Sequence, residues 1–140
     1  MVKRRYRTFS HTADLGLEIF GKDESEIFAH AGIALFSVLT EIKNIRGRKS
    51  WDIQAEGHDW EDLLVNYLSE ILYRFDTEQM LLRHIVILKL SPKLVVARGR
   101  GEILDPSRHP IKTGIKAVTH HQVSIQPGPK GFVARVILDI

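Results

Sequence analysis

Apolar residues recur along this chain in two rhythms, one of period two and one near 3.6, and their alternation predicts its elements. Leu15, Leu17 and Ile19 alternate with Gly16, Glu18 and Phe20, a short run that ends at Gly21 and reads as a strand. Asp23-Glu24-Ser25-Glu26 then starts a helix, with Asp23 as N-cap and Glu26 three residues on. Ile27, Phe28, Ala31, Ala34, Leu35, Val38 and Leu39 follow at helical spacing, which predicts a core helix to about Thr40. His30 lies off that stripe and is expected to face solvent, and Gly32 weakens the helix by about 1 kcal/mol relative to Ala. Beyond a polar, basic connector from Lys43 to Ser50, Trp51, Ile53 and Ala55 alternate as a half-buried strand, and Gly57-His58 makes a turn. Asp59 caps a second helix, with Glu61 and Asp62 in the first turn where the macrodipole favours carboxylates. Its stripe runs through Leu63, Leu64, Tyr67, Leu68, Ile71, Leu72 and Phe75, and Asp76-Thr77-Glu78-Gln79 ends it.

From there the periodicity is that of strands. Ile85 to Leu90 is a β-rich run, Ser91-Pro92-Lys93 a turn, and Leu94 to Ala97 continues into Arg98-Gly99-Arg100-Gly101, where the glycines argue for a bulge or a sheet edge. Asp105-Pro106 and His109-Pro110 bracket a loop. Ile115 to Ile125 is a further strand, residues 126 to 131 a hairpin loop, and Phe132 to Ile140 the last strand. Two helices amid about seven strands predict an α+β fold. The expectation is a single domain over residues 1–140, with both helices packed on a mixed or antiparallel multi-stranded sheet.

Composition narrows the chemistry. The 140 residues contain no cysteine, which excludes disulfides, thiolate metal sites and thiol catalysis. No apolar run has the length of a membrane span and the N-terminus lacks a signal peptide's apolar core, so no membrane role and a cytoplasmic location are expected. The net charge of +3 does not by itself imply a nucleic-acid partner. Lys3-Arg4-Arg5 and Arg7 form a basic arm around Tyr6, read either as a solvated edge or as an RNA contact.

Three stretches carry candidate chemistry. His11-Thr12-Ala13-Asp14-Leu15-Gly16 is a short polar loop bearing an imidazole, a hydroxyl and a carboxylate, suited to an ion or phosphate or else simply to satisfying its own turn. At the far end, Phe132, Ala134, Val136, Leu138 and Ile140 alternate to the final residue, which would set the α-carboxylate of Ile140 beside Asp139. Asp14 would complete three hard oxygen donors, suited to Ca²⁺ or Mg²⁺; the alternative is that Arg135 or Lys116 neutralises Asp139. Third, Lys116, Val118 and His120 share one strand face and Ala117, Thr119 and His121 the other, so a cation and an imidazole could together hold an anion. Arg108, His109 and Lys112 in the preceding loop would add an anion-binding rim near that edge. No glycine-rich phosphate loop, Ser-His-Asp set or HExxH pattern is present.

Taken together, these stretches resemble the archease family. His11-Thr12-Ala13-Asp14 with Leu15-Gly16 matches its opening signature, and Leu63-Leu64-Val65 through Ile71-Leu72-Tyr73-Arg74-Phe75-Asp76-Thr77-Glu78 is similar to its second helix. Ile111-Lys112-Thr113 with Ile115-Lys116-Ala117-Val118-Thr119 and His121 matches its late strand, and Leu138-Asp139-Ile140 its ending. The resemblance implies a protein cofactor, not an enzyme acting alone. Such a protein activates an RtcB-type RNA ligase in tRNA splicing and RNA repair, promotes its guanylylation and multiple turnover, and meets tRNA only through the ligase. It implies a divalent ion, typically calcium, held by Asp14, Asp139 and Ile140. Lys116 is the next functional candidate, and His11, Thr12 and His121 lie in the matching motifs. His120 departs from the tyrosine usual there, which could shift the sheet's packing or its pH response. Two other readings compete: a small tRNA-binding module using Lys3 to Arg7 with Arg98, Arg100 and Arg108, and a metal-dependent hydrolase.

Overall fold

The computed structural model describes residues 5–11 and 14–140, including all side chains but those at positions 10 and 11. In chain order the elements are β1 (Tyr6–His11), β2 (Asp14–Gly21), α1 (Glu24–Leu39), a 3-10 turn (Ile42–Asn44), β3 (Lys49–Glu56), α2 (Trp60–Glu78), β4 (Met80–Ser91), β5 (Leu94–Ile103), β6 (Ala117–Gly128) and β7 (Gly131–Asp139). The strands form two sheets, ordered β1-β2-β7-β6 and β3-β5-β4, with every pairing antiparallel. Each helix packs against a strand of both sheets, α1 on β2 and β4, α2 on β6 and β3.

That double contact explains the breadth of the apolar stripe on α1. Ile27, Phe28, Ala31, Ala34, Leu35 and Phe36 are all fully buried, so two neighbouring faces of the helix are dry. The helix starts as its capping pattern requires. Asp23 Oδ1 accepts from Glu26 N–H at 2.9 Å, and the Glu26 carboxylate accepts from Lys22 N–H at 3.0 Å. On α2, Asp59 Oδ1 accepts from Asp62 N–H at 2.8 Å. His30 is half-buried, not solvent-facing, because its Nδ1 lies 2.6 Å from the carbonyl oxygen of Phe20 at the end of β2.

Several boundaries differ from the sequence reading for tertiary reasons. β4 begins at Met80, five residues before the β-rich run. Gln79, at φ 58°, turns the chain in one left-handed residue and delivers Met80, Leu81 and Leu82 straight into the core. β5 is the central strand of its sheet, so Gly99 and Gly101 do not mark an edge. They let β4 approach closely instead: a Cβ on Gly101 would collide with the carbonyl of Leu81, and the register shift lies opposite, between Leu82 and His84. β6 starts at Ala117 and its pairing with β7 is interrupted between Thr119 and Ser124, where Gln122 adopts φ 54°. Pairing resumes to Gly128 opposite Gly131, which shrinks the expected six-residue hairpin loop to Pro129 and Lys130. Tyr6 and Arg7, read from sequence as part of a basic arm, and His11, read as the start of a polar loop, belong to one edge strand, Tyr6–His11, paired with β2.

Candidate metal centre

Asp14 opens β2 and Asp139 closes β7, and the antiparallel register of these neighbouring strands sets the two directly opposite one another. Leu15, Leu17 and Ile19 turn towards the helices, so Asp14 and Asp139 share the outer face of the four-stranded sheet. Opposed residues on adjacent strands hold their Cβ atoms about 4.5–5.5 Å apart, and like charges there are destabilising. Fully buried Val136 and Leu138 anchor the end of β7. On its other side β6 aligns Ala117 with Asp139, and the backbone N–H of Lys116 donates to the carbonyl of Asp139 at 2.7 Å. Ile140 follows one residue past the strand, 37% exposed. Its backbone therefore follows directly on Asp139, beside the aspartate pair.

The basic side chains named as neutralisers are arranged differently. Arg135 Nε lies 3.4 Å from Glu18, its own cross-strand partner, and its guanidinium stacks 4.2 Å from the centre of the Phe9 ring. Glu18 also takes Arg7. Arg135 stands four residues from Asp139, about 13 Å along an extended strand. It does not balance the tip. Lys116 reaches Asp139 through its backbone, and among the described residues Asp139 has no ion pair. No group of three or more His, Asp or Glu side chains gathers as a metal cluster among the described residues. The donors expected from the sequence, Asp14, Asp139 and the main-chain carboxylate of Ile140, would be three carboxylates. All are hard oxygens of one sign, a set that fits an alkaline-earth cation and no thiophilic metal.

The remaining candidates divide. His11 pairs with Asp14 across β1 and β2, which puts its backbone beside the centre, while its side chain and Thr12 lie outside the described residues. His121 lies four residues beyond Ala117 on β6, away from the tip; its N–H donates to Thr119 Oγ1 at 3.3 Å. His120 does not share an anion with Lys116. Its Nε2 lies 2.9 Å from Asp62 Oδ1 on α2, and the carboxyl of Asp62 is held below its usual range by the His58 N–H and by His120.

The anion-binding rim is also absent as read. Arg108 and His109 both turn onto Glu102, whose carboxylate further accepts from the Arg46 N–H at 2.7 Å, and Lys112 lies 3.8 Å from Glu41. Arg108 and the other donors hold the Glu102 carboxyl down at about 2, against desolvation that pushes it up. Nothing in the local sequence announces this cluster, because Glu102 sits on a strand and its partners come from two separate loops.

Comparison with known proteins agrees with this architecture. The model of the Archease protein family matches residues 6–140. The chain is 34% identical to protein archease of Pyrococcus furiosus over 142 residues, covering 98% of this chain and 99% of that one. It is 33% identical to protein archease of Methanosarcina barkeri over 141 residues, covering 98% and 97%. The solution structure of Methanobacterium thermoautotrophicum protein 1598 superposes with a TM-score of 0.81 at 27% identity, covering 96% of this chain and 98% of that one. The crystal structure of an archease from Thermotoga maritima shares the fold, with a TM-score of 0.63 at 17% identity over 99% and 100% of the two chains.

Proposed function

Because the chain belongs to the archease family, we propose that it is a protein cofactor of an RtcB-type RNA ligase. In this reading it acts in the cytoplasm in tRNA splicing and RNA repair, promotes guanylylation and repeated turnover of the ligase, and catalyses no reaction alone. The observation that supports it best is the register of Asp14 against Asp139 with Ile140 beside them. A sheet that opposes two half-buried carboxylates and keeps Arg135 of the same strand on Glu18 gains from a cation there.

Asp14, Asp139 and the Ile140 carboxylate would hold that ion, calcium in the simplest reading. Bound, it supplies a concentrated positive charge with coordination positions left for oxygens of the ligase or its nucleotide. The protein's own part is positional. β2 and β7 keep the two aspartates aligned, and Val136 and Leu138 stop the strand end from fraying. The Lys116 N–H, just before β6, pins the carbonyl of Asp139, and its exposed side chain remains available to an anionic group of the ligase site. The test is multiple-turnover ligation by the cognate ligase with this protein or its Asp14→Ala and Asp139→Ala variants. Loss of stimulation with an unchanged circular-dichroism spectrum supports the reading. Full stimulation by both variants refutes it.

A further inference from the structure

We infer that the outer face of the three-stranded sheet, where the connector before β3 lies beside β5 and β4, is a binding surface for the phosphate backbone of single-stranded RNA. This surface is separate from the carboxylate tip, lies on the other sheet, and does not depend on the ligase reading. Its centre is Gly47: a Cβ there would stand 3.8 Å from the His84 ring and 3.9 Å from Arg100 Cβ, so connector and strands are in contact. Arg100 donates to the Gly47 carbonyl at 3.0 Å, which orients its guanidinium along the connector and leaves its other N–H groups facing outward. Arg46 and Arg48 flank Gly47, both exposed, and are held by their backbones alone, Arg46 N–H on Glu102 and Arg48 N–H on the Gly101 carbonyl at 2.9 Å.

What matters about these three arginines is that they gather at one place with no carboxylate for them among the described residues. Among the described residues Arg7, Arg74, Arg98, Arg108 and Arg135 make ion pairs, whereas Arg5, Arg83, Arg46, Arg48 and Arg100 make none, and the last three gather around Gly47. The two acids nearby are already engaged, Glu102 by Arg108 and Asp52 by Arg98. A whole chain of charge +3 therefore carries a local excess on this one face. Guanidiniums without carboxylate partners, presented by backbone-anchored positions, suit phosphate oxygens that each accept from a planar fork. Val86, opposite Arg98 and 59% exposed, adds an apolar shelf on which an unpaired base can lie. An acidic protein is the competing occupant.

The experiment is fluorescence anisotropy of a labelled single-stranded RNA oligonucleotide with the full chain across a salt series, with poly-glutamate as competitor. The expected result is an affinity whose logarithm falls linearly with log salt. The double variant Arg46→Gln/Arg48→Gln should lose about tenfold in affinity and about 0.7 of slope per contact removed. A matched removal of charge from the other sheet, Lys22→Gln/Lys130→Gln, should leave both unchanged. Equal loss in the two double variants, no RNA binding at low salt, or tighter binding of poly-glutamate than of RNA would each overturn the inference. Unchanged thermal melting of the variants separates lost contact from lost fold.

Discussion

His109 Nε2 lies 3.0 Å from Glu102 Oε2, and the same imidazole accepts the Asp105 N–H on Nδ1 at 2.9 Å. The network thus assigns the ring proton to Nε2, which donates towards Glu102 and the Asn44 carbonyl. The ring is 1% exposed. It joins the long loop after β5 to the 3-10 turn after α1, adding a polar tie to the core contacts of Ile42, Ile45 and Leu104.

Glu102 should therefore carry much of the acid sensitivity of the fold. Its folded-state value of about 2 lies below the ordinary 4.5, so its contribution is fully present above pH 4.5 and is lost as the pH falls towards 2. Glu102→Gln should flatten this acid limb in a chemical-denaturation series run from neutral to low pH. Glu102→Ala should destabilise at neutral pH by about 3 kcal/mol, because Arg108 and His109 lose their shared acceptor. A wild-type acid limb in Glu102→Gln would show that other carboxylates set it.

The opposed aspartates make a prediction of reversed sign. Without divalent ion, Asp139→Asn should stabilise the protein by roughly 0.2–1 kcal/mol through relief of like-charge repulsion. With calcium at a hundred times its dissociation constant the wild type should gain about 2.7 kcal/mol, and the variant little. Calorimetric melting in chelator and in calcium measures both. Equal gains in the two proteins would place the ion elsewhere.

Tyr67 has its hydroxyl fully buried with no hydrogen-bond partner among the described residues, beside Gly32 and in ring contact with Phe28 at 5.3 Å. Burial alone drives its ionisation above the usual range. Since an unsatisfied buried group costs about 1–3 kcal/mol, Tyr67→Phe should leave the aromatic packing intact and raise the melting temperature. Urea denaturation with an unchanged m-value checks it.

Gly101 faces the backbone of β4 too closely for any side chain. Gly101→Ala should cost about 3 kcal/mol, since the collision is with the Leu81 carbonyl and not with a movable side-chain end. Gly47→Ala, whose added methyl would meet only ordinary van der Waals distances, should be nearly neutral in the same urea titration.

Local chemistry was enough to specify the helices and the strand faces. The carboxylate caps at Asp23 and Asp59 act within three residues, and the alternation of Leu15, Leu17 and Ile19 reports a buried face wherever the strand pairs. Tertiary structure decided what depends on distant partners. The start of β4 at Met80, the central place of β5 and the division into two sheets follow from which surfaces the helices cover, and no window of sequence holds that information. The pairing of Asp14 with Asp139 spans nearly the whole chain, and the diversion of Arg135 to Glu18 was visible only once the β2–β7 register was known. Charges behave likewise: a stretch of sequence shows that Arg48, Arg98 and Arg108 are cations, but only the fold shows which of them already face a carboxylate.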